Sequence, residues 1–135
     1  MENFALAVGN TFVWHEVYAP DADAAVSFYT EALGFGSQTM EMGDIGSYTM
    51  LTKNGVPVAG VQSTSQPHMD GVPPHWATYL AVDNVDEKLE DCTAMGATIV
   101  VPPMDIPTVG RMALIADPQG AHIWLFTPNP EQANG

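Results

Sequence analysis

The chain has 135 residues, enough for one domain with a good core. Apolar residues make up 46% of it and charged residues only 14%, so much of the surface must be Gly, Pro, Ser, Thr, Asn and apolar atoms, which a homodimer would partly hide. The formal net charge is −13, and the three cations Lys53, Lys88 and Arg111 are scattered, which excludes the basic stripe that a nucleic acid or an anionic membrane needs.

In chain order, MENFALAVGN has no basic region and no long apolar run, and no apolar stretch elsewhere is long enough to span a bilayer. The expectation is a soluble, cytoplasmic protein. TFVWHEVYA (11–19) is β-rich and stops at Pro20, a strand. DADAAVSFYTEAL (21–33) reads as a helix capped by Asp21, with Ala25, Phe28, Ala32 and Tyr29, Leu33 at helical spacing and Gly34 at its end. Strands follow at 37–42, 47–53 and 57–62, with GDIG and KNG as turns. STSQPHMDGVPP (63–74) is a connector that can also serve as a lid.

HWATYLAV (75–82) is the next strand. NVDEKLEDCTAMG (84–96) is a helix with a capping-box pattern at Asn84 and Glu87. Val85, Leu89 and Cys92 share one face of it, which makes the single cysteine an inert, buried thiol. One cysteine excludes an intrachain disulfide and a multi-cysteine zinc site. Strands at 97–101, 111–116 and 122–126 close the series, PPMDIPTVG links the first two, DPQG (117–120) turns into the last, and 128–135 is a loose tail.

The order is βαβββ twice. Ala19, Asp21, Ala32 and Gly34 recur as Ala81, Asp83, Ala94 and Gly96, each pair 62 residues apart. The fold class is therefore α+β. Residues 1–135 form a single domain of two tandem modules, at about 11–62 and 75–127, in a curved eight-stranded surface with the helices outside and a cleft inside.

That doubled module resembles the vicinal oxygen chelate superfamily, which includes glyoxalase I, bleomycin-resistance proteins and extradiol dioxygenases. APDADAAVSFYTEALGF (19–35), AVDNVDEKLEDCTAMGA (81–97) and GRMALIADPQGAHIWLF (110–126) carry the resemblance, which is nearest to a glyoxalase/bleomycin-resistance-like branch. It implies inward-facing His and Glu that hold one divalent metal in the metal-dependent members. Counted onto this chain, those positions are Trp14, Ala77 and Trp124, and PVAGVQ (57–62) offers no carboxylate or imidazole. Trp and Ala cannot donate to a metal. No cofactor is expected; a divalent metal held by Glu16, His75 and His122 is the alternative.

Strand alternation sets the candidates. Glu16 shares a face with Trp14 and becomes a carboxylate in a largely apolar pocket, the expected catalytic acid or base. Trp14, Tyr79, Trp124 and Phe126 face inward with His75 and His122, whereas Trp76 faces the helices, His15 has the opposite parity and His68 lies in the connector. Arg111, the only arginine, either orients a ligand or forms an ion pair. The expected function is binding of a small aromatic or apolar molecule without metal, with lyase or isomerase activity through Glu16. The alternatives are a divalent-metal enzyme of the glyoxalase I or dioxygenase type and a non-catalytic protein that sequesters an antibiotic or other small molecule.

Overall fold

The computed structural model describes residues 12–43, 46–65, 71–107 and 109–128. They contain β1 (Phe12–Ala19), α1 (Ala22–Leu33), β2 (Gly36–Glu41), β3 (Ser47–Lys53), β4 (Val56–Ser63), β5 (His75–Ala81), α2 (Val85–Ala94), β6 (Thr98–Ile106), β7 (Gly110–Ala116) and β8 (His122–Pro128). The element order is βαβββ twice, an α+β protein as the repeat predicts. The chain divides into two compact units, Trp14–Ala77 and a second made mainly of residues from Thr78 onward. Among the described residues no helix is long and apolar enough to cross a membrane. His68, the middle of GDIG and all but the first residue of the tail lie outside the described residues.

In the first unit the strand order is β2-β3-β4-β1. β1 runs parallel to β4, with Glu16 opposite Gly60, and β3 is antiparallel to both β4 and β2. The KNG turn is built by Asn54 at φ 53° and Gly55 at φ 80°, the left-handed pair that a two-residue hairpin requires. α1 starts on Asp21, whose carboxylate accepts from the Ala24 N–H at 3.0 Å, and ends at Gly34 at φ 81°. It covers one face of the sheet: Val17, Leu51, Ala59 and Val61 form the core with Ala22, Ala25, Val26, Tyr29 and Phe35. Phe28 and Leu33 stay exposed. Phe28 lies off the Ala22–Ala25–Val26–Tyr29 stripe that meets the strands, whereas Leu33 continues that stripe but is the last residue of the helix.

In the second unit the order is β5-β8-β7-β6. β5 is parallel to β8 and the remaining pairs are antiparallel. α2 is capped by Asn84, which accepts from the Glu87 N–H at 3.0 Å. The first cap is Asp21 and the second Asn84, so the 62-residue offset slips by one at the helix start and α2 is the shorter helix, 10 residues against 12. Val82, Val85, Leu89, Ala113, Ile115 and Leu125 form the core, with Cys92 packed against it. In the turn before β8, Asp117 accepts from the N–H groups of Gln119 and Ala121 at 2.8 and 3.0 Å. Those two bonds hold its carboxyl below the ordinary aspartate range.

One boundary needs correction. The sequence ends β6 near Val101 and reads PPMDIPTVG as a loop, yet β6 runs to Ile106 through Pro102 and Pro103. Among the described residues it pairs only with β7, and its register shifts twice, between Ile99 and Val101 and between Val101 and Met104. An edge strand with bulges tolerates prolines that a central strand would not.

Leu51 has no exposed surface. Leu51→Ala should cost about 3 kcal/mol of unfolding free energy, as core truncations that leave a cavity do, read from the midpoint and slope of a urea titration.

Candidate functional site

The face of the first sheet away from α1 carries its buried polar groups. Glu16, in the middle of β1, is 4% exposed. A carboxylate that far from water must be hydrogen-bonded, and Tyr18, Tyr48 and Gln62 are among the donors that reach it. The Tyr18 hydroxyl donates to Oε1 at 2.9 Å, the Tyr48 hydroxyl to Oε2 at 2.5 Å, and the Gln62 amide approaches Oε2 at 3.5 Å. The Trp14 indole N–H donates to the Tyr48 oxygen at 3.0 Å. An indole can only donate, so the one proton of Tyr48 is left for Glu16. Every bond in the chain Trp14–Tyr48–Glu16–Tyr18 points toward the carboxylate. Burial, and then the neighbouring Glu16 charge, push the Tyr48 phenol far above its ordinary range, so it stays a donor across neutral pH.

Gly60 makes room for this. A Cβ built there would fall 1.6 Å from the Tyr48 oxygen and 3.0 Å from Glu16 Oε2. Beside the cluster, the His75 ring stacks on Tyr18 with centroids 4.9 Å apart and planes 3° apart. Its Nδ1–H donates to the Pro73 carbonyl at 2.8 Å.

In the second unit, Tyr79 and Trp124 are paired across β5 and β8, both are buried, and their rings stack at 5.3 Å and 10°. Phe126 is two residues on, against Gly110, where an added Cβ would meet its ring at 2.7 Å. His122 is exposed at the start of β8, with Nδ1–H donating to the Gly120 carbonyl at 3.1 Å. Arg111 alternates with Ala113 and Ile115 and so lies on the α2 side. Its Nε and one terminal nitrogen donate to Asp86 at 2.9 and 3.1 Å, and the other donates to Asp105 at 3.0 Å. This is the ion-pair arrangement, and it holds the Asp86 carboxyl below the usual range. Trp76 is on the helix side as parity predicts, donating to the Tyr29 hydroxyl at 3.0 Å.

Residues 11–125 match the model of the Glyoxalase/Bleomycin resistance protein/Dioxygenase superfamily. The chain belongs to that superfamily. It is 36% identical over 122 residues to CFP32 of Mycobacterium tuberculosis, a protein proposed to be a glyoxylase; the match covers 90% of this chain and 46% of that protein. It is 31% identical over 119 residues to the anthracycline biosynthesis protein DnrV of Streptomyces peucetius, over 80% of this chain and 43% of the other. The chain thus spans less than half the length of either relative. Among solved structures it resembles methylmalonyl-CoA epimerase from M. tuberculosis, with 20% identity and a TM-score of 0.61 over 93% of this chain and 92% of that one. That likeness shows the fold.

The residues at the positions that the resemblance assigns to a metal lack the donor atoms for one. At Trp14 the indole N–H is spent on Tyr48, Ala77 has no donor atom, and Trp124 is stacked on Tyr79. Among the described residues, no group of three or more His, Cys, Asp or Glu is arranged to hold an ion. The alternative ligands have their own partners: Glu16 is taken by tyrosines, and the Nδ1 atoms of His75 and His122 by backbone carbonyls.

Four residues of the Glu16 cluster are absent from the sequence candidates: Tyr18, Tyr48, Gly60 and Gln62. Tyr18 was within reach, since it continues the alternation Trp14, Glu16, Tyr18. Gly60, isolated in a strand, is the usual mark of a close approach. Tyr48 and Gln62 are brought in by strand pairing, which local pattern does not encode.

Gly60→Ala should destabilise by about 1–3 kcal/mol, the usual cost of overpacking. The cost should shrink in a Tyr48→Ala background, where the clashing ring is gone. A denaturant double-mutant cycle measures the difference.

Proposed function

We propose that the chain binds a small aromatic or apolar molecule against the Glu16 face and that Glu16 moves a proton on it without a metal. The observation that carries this is the convergence of tyrosine hydroxyls on a buried carboxylate. Fixed donors hold one rotamer of Glu16 and leave no reorganisation for the moment of reaction. In the reaction we assign, Glu16 takes a proton from carbon next to a carbonyl. The C–H electrons pass into the carbonyl as an enolate. The carboxyl then returns the proton to the same or a neighbouring carbon, which is isomerisation, or the enolate expels a leaving group at the next carbon, which departs with the proton that the carboxyl holds, a lyase step. Trp14, on the same face of β1 as Glu16, provides aromatic surface for a planar ligand. The similarity in fold to an epimerase supports proton transfer as chemistry that this scaffold hosts; fold alone does not assign it.

Two measurements test the reading. Ligands are first found by tryptophan fluorescence, and those with an enolisable carbon are followed for deuterium uptake in heavy water by NMR. Glu16→Gln should slow that uptake by at least about 100-fold, the lower end for loss of a general base, while affinity for a neutral ligand changes little. Equal uptake by the variant overturns the role of Glu16, and ligands that bind without any uptake favour a sequestering protein. Metal analysis of protein purified without an affinity tag should find far less than one equivalent, and a chelator should leave Tm unchanged. One equivalent of metal and a lower Tm after chelation would overturn the metal-free mechanism.

A further inference from the structure

A second concavity lies wholly within the first unit, where the end of β1, the first two turns of α1 and the segment Pro74–Trp76 meet. It is an open groove of about 520 Å³. Its walls are aromatic. Phe28 and Trp76 are 57% and 47% exposed, two large apolar rings bordering the same space. Tyr29 stands perpendicular to both, at 84° and 5.1 Å to Phe28 and at 85° and 5.4 Å to Trp76. The Trp76–Tyr29 hydrogen bond locks that corner. The stacked pair of Tyr18 and His75 forms another wall. Asp21 is the charged residue of the lining, and no Lys or Arg is among the described lining residues.

We propose that this groove binds a small organic ammonium ion, a tertiary or quaternary amine with an apolar body. Phe28, Tyr29 and Trp76 line one space, and the negative π-surface of aromatic rings is what attracts an onium group. Alkylated nitrogen sheds water far more readily than a primary ammonium, and its methyl groups gain the apolar contact that Phe28 and Trp76 offer. Asp21 supplies a counter-charge. The N-terminal dipole of α1 opposes a cation there, and Asp21 and Asp23 in its cap and first turn offset it. At long range, a net charge of −13 draws cations toward the surface and repels anions. The proposal does not depend on proton transfer by Glu16.

The test uses choline and its neutral isostere 3,3-dimethylbutan-1-ol, titrated into the full chain while the Trp76 side-chain N–H is followed by NMR. Trp76→Phe identifies that signal. Choline should shift it saturably and bind at least about fivefold more tightly than the alcohol, a typical partly desolvated cation–π advantage. Phe28→Ala should lose most of that margin. Asp21→Asn, which keeps the helix cap, should weaken choline and leave the alcohol unchanged. Equal affinity for the two compounds, or unchanged choline binding in Phe28→Ala, overturns the proposal. So does a Trp76 signal that moves with protein concentration and not with choline, since a second copy of the chain would then cover the groove. Phe28 lies on α1, which covers the opposite face of the sheet from Glu16, and Asp21 caps that helix, so failure here leaves the proton-transfer reading standing.

Discussion

A carboxylate taken out of water must be given hydrogen bonds, or the fold that buries it does not form. Glu16 sets this condition in the middle of β1, and much of the first unit can be read as its answer. The parallel pairing of β1 with β4 puts Gly60 opposite it, the one residue type that leaves the space empty. The antiparallel pairing of β3 with β4 then brings Tyr48 across that space. Trp14 turns the Tyr48 proton toward Glu16, and Tyr18 closes the other oxygen. Removing a partner leaves a charged group short of a bond in a place water does not reach. The same requirement explains why the unit holds a polar cluster on one sheet face and a wholly apolar core on the other.

The second unit repeats the module without repeating that condition. The buried pair at the centre of its parallel ladder is Tyr79 and Trp124. Two stacked rings ask for area and shape, not for donors. The architecture is therefore held in common by the helix-facing residues, Val17, Leu51 and Val61 in one unit and Ala113, Ile115 and Leu125 in the other. The opposite faces are free to differ, and they carry the chemistry.

Sequence pattern reveals what is local. Asp21 and Asn84 cap their helices, Asn54-Gly55 makes the hairpin, and Asp117 builds its turn, because each depends on atoms within a few residues. Alternation along β1 and β8 separates Glu16 from Val17 and Trp124 from Leu125. Pattern fails where a choice is made by something distant. α1 has apolar residues around more than one face, and only the sheet beneath it selects Ala22, Ala25, Val26 and Tyr29 over Phe28. Arg111 can reach a ligand or an acid until α2 is docked, and then Asp86 takes it in a two-pronged grip. Tyr48 is 32 residues from Glu16, and no period in the sequence joins them. The candidate site was thus half readable: its acid by alternation, its donors only through pairing.

The prolines of β6 have a consequence at the border of the second unit's sheet. Pro102 and Pro103 remove two backbone donors from a strand whose outer side has no paired strand among the described residues, and the bulges around them spoil its register. Such a strand is a poor template for an incoming chain. β2, the border strand of the first unit, has neither proline nor register shift against β3, and all six of its residues are exposed. Should partly unfolded copies stick together, growth of a shared ladder would begin at Gly36–Glu41, and the two borders of this protein differ in how well they are defended against amyloid-like addition.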